Sequence, residues 1–282
     1  MPNRRTFDGA LEGPVTVGVD GSAYADVAAV WATHEALRRG TAVRLVAVAD
    51  AAGGSGEPGR LDSGEAYERL ARTEASLTDS FPALKVESEV AVGDPFQELE
   101  LASRSTEILV VGARGSGGFA QLALGSVSLR LAAAAGCPLV IVPAGHAAAH
   151  PGTTVAGVTR EGSARVLRFA LGQADRAHSG LRVVHAWNPN RPDADVDIAA
   201  RHTAEYAMHW LKTAHAEASG ADLEISVLRG EPSEVLAAQS TRANLLVLGA
   251  HRRLTPPSGG VGSVLHEVLL HARCPVALVP IS

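Results

Sequence analysis

Short apolar runs alternate with longer stretches of helical spacing along this chain. Val15-Thr16-Val17-Gly18-Val19 reads as a first strand, and Ser22 as the N-cap of a helix running to Arg39, with Val27, Val30, Trp31 and Leu37 near helical spacing. Val43 to Val48 is a second strand. A Gly- and Ser-rich loop follows, then a helix expected to carry Tyr67, Leu70, Ala71 and Leu77 inward. The third strand sets Val86, Ser88, Val90 and Val92 against Glu87 and Glu89 on its other face, the alternation of an edge strand. A short helix starts at Pro95 and uses Phe96, Leu99 and Ala102. Ile108-Leu109-Val110-Val111 is wholly apolar and therefore central. A last helix starts at Ser126, and Leu139 to Val142 is the fifth strand. Alternating strands and helices predict an α/β fold, a parallel sheet with helices on both faces.

The pattern then runs a second time. Gly93, Gly112, Gly125-Ser126-Val127, Cys137-Pro138 and Pro143 return as Gly230, Gly249, Gly262-Ser263-Val264, Cys274-Pro275 and Pro280, every pair 137 residues apart. A constant offset over five landmarks marks a tandem duplication. The expected domains are 1–147 and 152–282, joined through the small-residue stretch around His146 and His150.

Composition narrows the function. The chain is 46% hydrophobic and 20% charged, as a globular protein is, and its net charge of −5 with no basic run argues against a nucleic-acid surface. The longest apolar stretch, Leu131 to Val142, is interrupted by Gly136 and Pro138 and is too short to span a bilayer. Arg4-Arg5-Thr6-Phe7 has no apolar segment after it, so it is not taken as a signal. The two cysteines, Cys137 and Cys274, each precede a last strand and read as buried reduced thiols, which fits a cytoplasmic location.

The chemistry concentrates where the fourth strand ends. Gly112-Ala113-Arg114-Gly115, nine residues, then Gly125-Ser126-Val127-Ser128 places a glycine loop before a helix N-terminus. Glycine lets a backbone come close to phosphate, and the helix start offers free N–H groups and the positive end of its dipole. In a 3-2-1-4-5 sheet the strand order reverses between strands 1 and 4, so Asp20 and Gly112 converge on one crevice. The fifth strand is then an uncharged edge, as is Val276 to Val279, and the two copies are expected to pair through these segments as an intrachain pseudo-dimer. A homodimer of whole chains is open as a further association.

Gly-x2-Gly-x9-Gly-Ser, Val17-Gly18-Val19-Asp20-Gly21-Ser22 and Gly136-Cys137-Pro138-Leu139-Val140 together resemble the universal stress protein family, in both copies. The resemblance implies two tandem flavodoxin-like (Rossmann-like) domains and an ATP-binding regulatory protein of stress physiology. It also implies a nucleotide site with Gly18 and Asp20 toward the nucleoside and the backbone around Val48 at the adenine. Gly112 and Gly115, with Arg114 beside them, would lie along ribose and phosphates, and Gly125, Ser126, Val127 and Ser128 would hold the phosphates. Mg2+ or Mn2+ would ride on those phosphates. The second copy departs from the pattern: Arg252 stands in the place of Gly115, and no aspartate matches Asp20. It is expected to bind nucleotide poorly.

Other readings stand beside these. The glycines could make a tight turn, Asp20 could cap or pair, and Ser126 could be an ordinary helix start. His202, Glu205 and His209 share a helical face but lack a third histidine or cysteine, so a solvated face is expected and no metal site. There is no Gly-x4-Gly-Lys-Ser/Thr loop and no nucleophile elbow. A slow ATPase and a scaffold with vestigial pockets are the alternatives to a nucleotide-binding regulator.

Overall fold

The structure, a computed structural model, describes residues 13–50, 62–116, 124–145, 152–159, 163–188, 205, 222–251 and 262–281. These divide into two compact units, 13–145 and 152–281. The first contains β1 (Val15–Gly18), α1 (Ala23–Arg39), β2 (Val43–Ala49), α2 (Ser63–Ser80), β3 (Val86–Val92), α3 (Pro95–Ala102), β4 (Ile108–Gly112), α4 (Ser126–Ala134) and β5 (Leu139–Val142). Its strands are all parallel in the order β3-β2-β1-β4-β5. The second contains β6 (Thr153–Gly157), α5 (Ser163–Ala177), β7 (Leu181–Trp187), β8 (Leu223–Arg229), α6 (Pro232–Gln239), β9 (Ala243–His251), α7 (Ser263–His271) and β10 (Val276–Ile281). Its parallel order, β8-β7-β6-β9-β10, repeats the first.

The central strands owe their place to apolar faces on both sides: β4 is buried at all five residues. Helix starts follow local chemistry. Ser22 accepts from the Ala25 N–H, and Asp62 and Glu65 form a capping box. Asp94 caps α3 ahead of Pro95.

Two helix faces differ from those expected. The packed side of α1 is Ala25, Ala28, Ala29, Trp31, Ala32 and Ala36, while Leu37 is 41% exposed. Alanine lets the helix axis lie close to the sheet, so the small residues carry the contact and the branched ones flank it. In α2 the buried stripe is Ala66, Leu70 and Leu77, and Tyr67, one position round the helix, is 64% exposed. Ala71 faces outward with it.

The two copies diverge at one buried position. Both α1 and α5 end at a left-handed residue, Gly40 (φ 65°) and His178 (φ 48°). The N–H groups after those residues, on Thr41 and Ser179, return to the carbonyls of Ala36 and Ala174. Five residues before that turn stand Glu35 and Gln173, both buried. Glu35 is bound by Arg39, which also binds Glu107, and by Arg38 at 3.1 Å. In the second copy Ala177 replaces Arg39. The amide of Gln173 has no hydrogen-bond partner at either polar atom. The second copy has neither the carboxylate nor the arginine that matches Arg39, and its neutral amide lacks a partner.

These two sites predict opposite effects. Arg39→Met leaves the buried Glu35 carboxylate to Arg38 alone and is expected to cost about 2 kcal/mol. Gln173→Met removes an unsatisfied amide at similar volume and is expected to gain roughly 1–3 kcal/mol. Urea unfolding midpoints of the two variants should therefore move in opposite directions.

Candidate functional site

The crevice at the carboxyl ends of β1 and β4 is built from three turns. At the end of β1, Val19 still donates to the carbonyl of Val46, after which the chain leaves the sheet. Gly21 turns in the left-handed region (φ 76°), and α1 begins. At the end of β4, Ala113 donates to the carbonyl of Val142, and the loop runs through Arg114, Gly115 and Ser116. The third turn is the start of α4, where the Gly125 N–H donates 2.8 Å to the carbonyl of Ala113.

Asp20 links the first two turns. Its Oδ1 accepts from the Ser22 N–H at 3.0 Å and the Ser22 hydroxyl at 2.7 Å. Its Oδ2 accepts from the Ser116 N–H at 2.6 Å. The carboxylate clasps the loop after β4 to the turn before α1. Gly115 is the residue that permits it, because an added Cβ there would lie 2.6 Å from Oδ2.

The other predicted residues divide by what occupies them. Gly112 has a packing reason to be glycine: an added Cβ would meet the Tyr24 backbone at 2.8 Å, so α1 rests on it. Ser128 is buried and its hydroxyl donates to the Gly112 carbonyl at 2.8 Å, which ties α4 to β4. Gly18 faces Leu99, with 3.1 Å left for a Cβ. Val48 is half-buried near the end of β2, and Arg114 lies with its guanidinium 5.8 Å from the Tyr24 ring centroid.

The start of α4 is the third part of the crevice. Its N-cap is Gly125, which offers no side chain to the first N–H groups; the first intrahelical bond is from Leu129 to the Gly125 carbonyl. The N–H groups of Ser126, Val127 and Ser128 therefore have no intrahelical acceptor. Ser126 is exposed and Val127 half-buried. Such a start favours an anion.

Sequence reasoning missed Arg69. This α2 residue donates through Nη1 to the main-chain carbonyl of Asp20. It is 49 residues away and belongs to no motif, so no local pattern announces it.

A separate pocket of about 590 Å³, lined by Pro14, Leu37, Ala42, Leu84 and Lys85 among others, lies at the amino ends of β1, β2 and β3. It is at the opposite end of the sheet from these groups. Among the described residues no three His, Cys, Asp or Glu side chains gather to hold a metal. His202 and His209 lie outside the described residues, as do the loop 117–123 and Arg252. Cys137 and Cys274 are free and buried, and burial pushes both thiols up to about 12. No described helix is long and apolar enough to cross a membrane.

In the second unit Ala156 pairs with Val247 as Val17 pairs with Val110, which sets Thr159 in the place of Asp20. Position 115 is matched in sequence by Arg252. The acid and the glycine that accommodates it are absent together.

The clasp couples Asp20→Ala and Gly115→Ala. Each alone is expected to destabilise the first unit. The double variant should cost less than the sum of the singles by about 1–2 kcal/mol, because Gly115→Ala has nothing to displace once the carboxylate is gone. Chemical denaturation of the four proteins measures it; strict additivity would contradict the clasp.

Comparison with known proteins bears on both units. The model of the universal stress protein family matches residues 13–143 and again 153–280. A universal stress protein of Mycobacterium tuberculosis is 32% identical over 249 residues, covering 82% of this chain and 90% of its own. The crystal structure of a universal stress protein from Archaeoglobus fulgidus covers 95% of this chain and 99% of its own at 17% identity, with a TM-score of 0.71, a likeness of fold. Another from Archaeoglobus fulgidus, solved in complex with dAMP, covers 47% of this chain and 99% of its own at 26% identity, with a TM-score of 0.36. Two matches of one family model, in tandem over nearly the whole sequence, show that this chain belongs to the universal stress protein family.

Proposed function

We propose that the first unit binds an adenine nucleotide, ATP in the first instance, and that the chain acts as a nucleotide-dependent regulatory protein in the cytoplasm. The observation that carries this reading is the glycine-capped start of α4 at the sheet's switch point, set beside a loop held by Asp20. Phosphates would lie against the N–H groups of Ser126 and Val127 and the Ser126 hydroxyl. Gly112, Gly115 and the Ser128 hydroxyl would contribute by shaping the loop rather than by touching ligand. The nucleoside would lie toward Asp20 and Val48. ATP would bring Mg2+ or Mn2+ on its phosphates, and the cation needs no protein cluster to arrive.

The reading is of binding and not of turnover. The acid in the crevice already accepts three hydrogen bonds, so it is poorly placed to take a proton from water. A bound nucleotide can regulate only by favouring one of two states of the protein. The second unit, without the acid and with Arg252 for the loop glycine, would serve a structural role. The apolar segments Leu139–Val142 and Val276–Val279 are proposed, from their sequence, to bring the two copies together.

Calorimetry with ATP is expected to give one nucleotide per chain. Ser126→Asp places a carboxylate at the first position of α4, where it suits the helix dipole and repels phosphate. That variant is expected to melt no lower than the parent and to bind ATP at least about a hundredfold more weakly. A parent protein that binds no adenine nucleotide would remove the reading.

A further inference from the structure

The structure gives Asp20 three anchors, and only two of them lie nearby in the crevice. Ser22 and Ser116 hold the carboxylate. The third is Arg69, which holds the main-chain carbonyl of the same residue. That carbonyl lies just past the last ladder bond of β1, the one from Val19 to Val46. No strand neighbour continues the ladder to it, and a carbonyl left without a donor in such a place is costly.

Arg69 reaches it from α2, whose start is fixed by the Asp62–Glu65 capping box and whose Ala66 and Leu70 are buried against the sheet. The guanidinium lies across Gly21. A Cβ on Gly21 would stand 2.6 Å from Nη1 and 2.7 Å from Cδ of Arg69, so the left-handed glycine leaves the room the arginine uses. A planar, permanently charged donor held at this point fixes the peptide plane after Asp20 as well as its side chain.

We infer that Arg69 is a positioning residue of the nucleotide site: it sets the backbone at Asp20, and through it the carboxylate that clasps Ser116. The inference rests on the nucleotide reading above. Arg69 itself touches no phosphate in this account. It joins the outer helix α2 to the crevice, so a displacement of α2 changes nucleotide affinity.

The test is ATP affinity measured by calorimetry in four proteins: the parent, Arg69→Met, Asp20→Ala and the double variant. Arg69→Met is expected to weaken binding about tenfold in the parent and to have no further effect once Asp20 is alanine, because it acts on the site only through the Asp20 carboxylate. Arg69→Lys keeps one donor and should lose about threefold; it also serves if Arg69→Met does not fold. A merely structural arginine would lower the melting point without producing this non-additivity. Unchanged affinity in Arg69→Met, or equal losses with and without Asp20, overturns the inference while leaving nucleotide binding intact. Absence of ATP binding in the parent overturns both.

Discussion

The carboxylate of Asp20 bridges two segments that are 96 residues apart in sequence, and the shape of the crevice follows from that bridge. One oxygen is satisfied by the start of α1, the other by the loop after β4. Hydrogen bonds to a charged acceptor are stronger than those between neutral groups, so two turns that would otherwise move separately are held together. The glycine at 115 is required by the acid, the glycine at 21 gives room to Arg69, and the glycine at 112 lets α1 approach β4. At the start of α4 the cap is a glycine, and among the described residues no side chain caps its N–H groups.

The internal duplication serves as a comparison within one molecule. At the crevice the second copy lacks both the acid and the glycine that faces it. At the far end of the first helix it lacks both the charge of Glu35 and the cation of Arg39, and it keeps a buried glutamine with unsatisfied atoms. In each case two residues that touch in one copy are replaced together in the other. A buried charge cannot outlast its partner without a large cost, which explains the second pair. The first pair is explained by sterics, since any side chain at 115 would occupy the place of the Asp20 carboxylate.

Much of the fold was legible because parallel sheets write themselves into sequence as apolar runs. The five strands of the first copy, the central place of the fourth and the capping role of Ser22 followed from local pattern, while the strand order came with the fold class. The packed face of α1 did not, because alanine carries little weight in a periodicity reading although it is the residue that allows close approach. In the candidate site, the loop and the helix start were visible as a spacing. The division of labour among their residues was not: a glycine that admits a ligand and one that admits Tyr24 look the same in sequence. The hydroxyl of Ser128 donates to the Gly112 carbonyl, a contact that no spacing in the sequence announces. Arg69 was invisible for a simpler reason, that a contact over 49 residues leaves no local signature.

The central claim is that the unsatisfied N–H groups at the start of α4 meet a nucleotide's phosphates. Amide hydrogen exchange, resolved to single residues with and without saturating ATP, examines those groups directly. ATP is expected to slow exchange at Ser126 and Val127 and to leave Ser263 and Val264, their counterparts in the second copy, as they were. Unchanged exchange at Ser126 and Val127, or protection confined to the second copy, would contradict the account.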